Sequence, residues 1–138
     1  IDTIVRARRA CDGASTLLER VSWDLAFHLA IVRAAGNPLV ETKFRAIQPY
    51  VVEILLRSLT DTEVTYQGLV FHERIATAIA ERDSDAATAE MQHHLTLGLT
   101  LFGSDTDRNL NLVARDALES LVTDTVTFED LMRLTHEG

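Results

Sequence analysis

Residues 16–38 read TLLERVSWDLAFHLAIVRAAGNP, and the fold class turns on them. Thr16, with Glu19 three residues on, makes a capping box, the reciprocal pairing that opens a helix. Behind it Leu17, Val21, Asp24, Phe27, His28 and Ile31 recur at helical spacing and form one broad face. Gly36 supplies the left-handed position that ends a helix. Asn37-Pro38 then gives an N-cap with proline at the first helical position. One stretch therefore reads as a complete helix, a stop and a second start, with no strand signal.

The same grammar extends to either side. Asp2 to Cys11 is a short basic helix, broken by Asp12-Gly13-Ala14-Ser15. The third helix runs from Pro38 to about Leu59, where Pro49 is expected to kink or split it. Thr60-Asp61-Thr62 is a turn, and a fourth helix covers about Thr65 to Glu81. Asp83-Ser84-Asp85 connects to a fifth helix, about Asp85 to Phe102, which Gly103-Ser104-Asp105 stops. A sixth helix is expected over about Asp107 to Leu121, with Leu110, Val113, Ala114, Ala117, Leu118 and Leu121 on one face. Thr127 and Asp130 give a weaker start for a last short helix to about Leu134. Glycine (6) and proline (2) are scarce, and no alternating run is flanked by hairpin signals. The prediction is an all-α antiparallel bundle of about six helices in one domain.

Composition narrows the function. With 13 Lys and Arg against 21 Asp and Glu, the formal charge is −8, a poor balance for gripping nucleic-acid phosphates unaided. The single cysteine, Cys11, excludes an intramolecular disulfide and a multi-cysteine zinc site, and it fits a cytoplasmic location. No apolar run approaches the ~18 residues of a membrane span. The start, Ile1-Asp2-Thr3, shows neither an initiator Met nor a signal-peptide pattern, as expected of a piece of a longer protein.

Four groups able to ligate a metal sit at inward helical phases. Asp24 and His28 are one turn apart on the face that carries Phe27 and Ile31. His72 shares a face with Ile75, Ala76 and Ile79, and His94 with Met91, Leu95, Gly98 and Leu99. His72 lies eleven residues before Asp83 and His94 eleven after it. In an antiparallel hairpin such residues stand at one height. Three imidazoles and a carboxylate suit zinc or nickel best, with iron or manganese also compatible, and leave open positions on a five- or six-coordinate ion. The plain alternative for any one of them is a hydrogen-bonded core histidine. His93 lies off that face and reads as solvated or secondary to the site. His136 is assigned no role.

These residues resemble a known family. Trp23-Asp24-Leu25-Ala26-Phe27-His28, followed by Ala34-Ala35-Gly36-Asn37-Pro38-Leu39, looks like the D-x-x-F-H…A-G-N-P signature of the FCD domain. His72-Glu73-Arg74-Ile75-Ala76-Thr77-Ala78-Ile79, Asp83, Ala87, Met91, His94 and Leu95 are similar to its second block. The resemblance covers roughly residues 2 to 103. It implies the effector-binding and dimerisation half of a GntR-type bacterial transcription regulator, built as an antiparallel helical bundle. It also implies a metal held by Asp24, His28, His72 and His94, with a small carboxylate effector beside it, and a homodimer. Asn37 then has a capping role. Two family features are not matched in these residues: the winged helix-turn-helix head, through which DNA would be bound, and the first helix of the effector domain, which reads as missing or eroded. Arg6, Arg8 and Arg9 resemble the tail of the second family helix, and residues from about Asp105 exceed the pattern.

On this reading the chain is a sensor and not an enzyme. Arg45 and Arg57 are the candidate effector-binding cations, against a plain reading as solvated charges. Gln48 and Tyr50 can add hydrogen bonds, although a surface amide and a core aromatic are the simpler expectations. The alternatives are a metal-dependent hydrolase and a structural, metal-bound oligomerisation module. The hydrolase lacks a general base, since Glu73 is turned away from His72 by helical phase. No G-x-S-x-G elbow, phosphate loop or His-Glu-x-x-His pattern is present.

Overall fold

The computed structural model of the chain describes residues 1–103, which form five α-helices and, among those residues, no strand. They are α1 (Asp2–Gly13), α2 (Leu17–Ala34), α3 (Pro38–Ser58), α4 (Thr62–Glu81) and α5 (Ser84–Gly103). The expected sixth and last short helices lie outside the described residues. No described helix is long and apolar enough to cross a membrane.

Local signals place most boundaries. The Thr16 hydroxyl accepts from the Glu19 N–H while the Glu19 carboxylate accepts from the Thr16 N–H, so the capping box is complete. Gly36 adopts φ +65° between α2 and α3, and the Asn37 side chain accepts from the Leu39 and Val40 N–H groups. The start of α4 lies at Thr62, upstream of the expected Thr65. The reason is Asp61, whose carboxylate caps the Glu63 and Val64 N–H groups. Pro49 does not split α3. It lies on the solvent side, where the carbonyl deprived of its N–H partner can be hydrated.

The turn from α4 to α5 is a Schellman closure. Asp83 N–H donates to Ala78 O and Arg82 N–H to Ile79 O, with Arg82 left-handed at φ 60°. The Asp83 carboxylate then accepts from Ala86 N–H and caps α5.

Two apolar clusters flank α2. On one side Phe27 and Ala30 meet Ile4 and Ala7 of α1 and Ile75 and Ala76 of α4, with Met91 of α5 packed against them. On the other, Val21 and Leu25 meet Val52 and Leu56 of α3. Full burial of side chains such as Phe27, Leu25 and Leu56 contributes roughly 1.5–3 kcal/mol each. Asp24 and His28 sit on α2 between these two faces, so the packing that fixes α2 also fixes them.

Candidate metal centre

The four inward groups converge. His72 Nε2 lies 3.3 Å from His94 Nε2, and His94 Nε2 lies 3.3 Å from His28 Nε2. His28 Nε2 is 3.4 Å from Asp24 Oδ1, and His72 Nε2 is 3.6 Å from Asp24 Oδ2. The three imidazole nitrogens all fall within 4.8 Å of one another. The equal heights expected of His72 and His94 are thus observed across the α4–α5 hairpin. His93 is exposed, in line with its solvated reading, and His136 lies outside the described residues.

Surrounding packing fixes the rings. Phe27 stacks at a tilt on His72 with centroids 4.4 Å apart, and His28 and His94 stack at 5.2 Å with only 14° between planes. His72 is fully buried, Asp24 is buried, and His28 and His94 are half-buried. Burial therefore dominates the electrostatics. It lifts the Asp24 carboxyl to about 7 and lowers His28 to about 3, the latter helped by the neighbouring His94. His94 falls to about 4 by burial, and His72 lies well below its ordinary value for the same reason, with His28 and His94 adding to it. The imidazoles consequently keep free lone pairs at neutral pH, and the site carries a carboxylate that gains from an adjacent cation.

This donor set fits a metal ion. Two donors each 2.0–2.2 Å from one zinc-like ion stand roughly 2.8–3.6 Å apart for right-angle to tetrahedral arrangements, and all four close approaches here fall in that range. The chemistry agrees, since neutral imidazoles and a carboxylate form a common ligand set for divalent transition metals.

The other expected contributors divide. Arg45 is held by Glu41, with Nη2 2.8 Å from Oε1, an i,i+4 pair on α3. Arg57 belongs to α3, and its side chain is outside the described residues. Both simple expectations for the polar pair on α3 are overturned. Tyr50 is 67% exposed and not a core aromatic, while Gln48 is 2% exposed and not a surface amide. Glu73 is exposed and ion-paired with Arg8 at 2.6 Å, consistent with a side chain turned from the site.

A small cavity of about 20 Å³, room for a water-sized molecule, adjoins Asp24. Arg20, Cys11, Thr65 and Leu69 line it with Asp24, and Arg20, one helical turn before Asp24, is a cation near the site that the sequence reading did not single out. A larger groove of about 900 Å³ runs between α1 and α2 past Ile4, Ala7, Trp23 and Ala30, and none of the four donors lines it.

Comparison with known proteins adds one match: a family model, the FCD domain, covers residues 1–97. No curated protein and no solved structure matches the chain.

Proposed function

The chain belongs to the FCD domain family, and from that premise we propose that it is the metal-dependent sensing half of a GntR-type transcription regulator. The single observation that carries the reading is the clustering of the His28, His72 and His94 ring nitrogens within 4.8 Å of one another, with the Asp24 carboxylate 3.4–3.6 Å from two of them. FCD domains are regulatory effector-binding modules, which favours sensing over turnover.

In this reading the four residues hold zinc or nickel, with iron or manganese as lesser alternatives. A bound ion would supply positive charge that attracts a carboxylate oxygen of a small organic acid. Arg20, which lines the water-sized cavity beside Asp24, would add positive charge near the site without touching the acid through that cavity. Arg45 fits this role less well, because Glu41 already occupies it. The effector would act by favouring one arrangement of a homodimer over another, and so bias a separate DNA-binding head in the cytoplasm.

Elemental analysis of the purified chain, followed by melting with small organic acids with and without chelator, tests this. About one metal per chain, and an acid that raises the melting point only in the loaded form, is the expected result. Metal without any acid response would favour a structural site. Turnover of an acid would favour an enzyme. His94→Ala is expected to weaken metal affinity strongly, and unchanged metal content in that variant would overturn the ligand set.

A further inference from the structure

Gln48 is buried on α3 at 2% exposure, and its side-chain Nε2 has no hydrogen-bond partner among the described residues. A buried amide left without an acceptor forfeits its hydration with nothing in return, so such a group calls for an explanation. Its position supplies one. α2 and α3 run antiparallel about the Gly36–Asn37 turn, as the packing of Val21 and Leu25 against Val52 and Leu56 requires. Counting equally from that turn sets Gln48 level with Leu25, between the heights of Asp24 and His28. Asp24 Oδ1 is also buried and makes no hydrogen bond, with His28 Nε2 3.4 Å away. One layer of the bundle thus holds a donor lacking an acceptor and an acceptor lacking a donor.

We infer that Gln48 is a positioning residue of the metal centre, whose amide N–H donates to the Asp24 carboxylate in the loaded protein and fixes how that carboxylate faces the ion. Ligating carboxylates are commonly oriented by such a neighbour, and its loss typically weakens metal affinity 10- to 100-fold. The stability cost of the unpartnered amide in the metal-free chain is then offset when metal binds. This inference rests on the metal-centre reading above.

The test compares the full chain with Gln48→Met, which keeps volume and removes the amide, and Gln48→Glu, which keeps shape and replaces the donor by an acceptor. Zinc affinity is read by competition with a chromophoric chelator, the visible spectrum of the cobalt(II)-loaded protein reports ligand geometry, and melting in chelator reports stability. Gln48→Met is expected to melt at or above the wild type without metal. Both variants should bind zinc 10- to 100-fold more weakly and show a shifted cobalt spectrum. A lower melting point with wild-type zinc affinity and cobalt spectrum would make Gln48 merely structural and overturn the inference. So would wild-type affinity and spectrum in Gln48→Glu alone, should Gln48→Met not fold. A wild-type chain that takes up neither metal overturns the metal-centre reading itself, a result distinguishable because no variant is needed to see it.

Discussion

Replacing Asp24 by Asn should stabilise the metal-free protein while destroying the centre. The Asp24 carboxyl is buried, its hydrogen-bond capacity at Oδ1 is unmet, and burial moves it from 3.8 to about 7. The sign follows from linkage. The folded state holds this proton where the unfolded state has already lost it. The penalty therefore appears above pH 3.8, grows with pH, and levels off above about 7. Moving this carboxyl from 3.8 to about 7 corresponds to about 4 kcal/mol between the two protonation states. Water penetration and local relaxation reduce this to roughly 2–4 kcal/mol. For a domain of this size that is roughly 6–16 °C in melting temperature. The assay is paired thermal melting at pH 7, in chelator and with excess zinc. In chelator Asp24→Asn should melt higher than the wild type. With zinc the order should reverse, because only the wild type gains binding energy. If Asp24→Asn melts lower than the wild type in chelator, the carboxylate is making favourable contacts in the metal-free fold and the desolvation argument is wrong.

Three further outcomes follow from the same structure. In the Asp24→Asn background, metal-free stability should fall as pH drops from about 6.5 toward 4. The unfolded chain then takes up histidine protons that folded His28 and His94 refuse until about 3 and 4, and urea midpoints across that range will show it. Arg82→Gly should raise stability by about 1 kcal/mol in urea melts, by relieving the left-handed backbone of an L-residue at φ 60°. Phe27→Ala should cost about 3–5 kcal/mol in the same assay, since the ring is fully buried between α1 and α4 and supports His72.

Much of this arrangement was legible in the chain because it depends on local rules. Thr16 with Glu19, and Asn37 with Pro38, fix helix starts within one turn of backbone, and the structure keeps both. The meeting of His72 and His94 needed only the position of the Asp83 turn and a regular helical rise. The misread residues lie where periodicity gives two answers. On α3, Ile47, Tyr50 and Ile54 recur at helical spacing, and so do Gln48, Val52 and Leu56; only packing against α2 decides that the second stripe is buried. A buried Gln in place of an apolar residue made the wrong stripe look more favourable. Asp61 was passed over as a cap because Thr60-Asp61-Thr62 also reads as a simple turn. The pairing of Arg45 with Glu41 was within reach, since an i,i+4 spacing states it.

The four donors are spread along the chain, and His94 comes 66 residues after His28. During synthesis at roughly 5–20 residues per second, α2 emerges several seconds before its last partner. The centre therefore cannot close on a nascent chain until α5 has left the ribosome and turned back through Arg82 and Asp83. On the proposed function, metal uptake at this site would report that translation has passed α5 and that the final hairpin has docked, and a chain truncated before His94 would be recognisable by its inability to retain the ion.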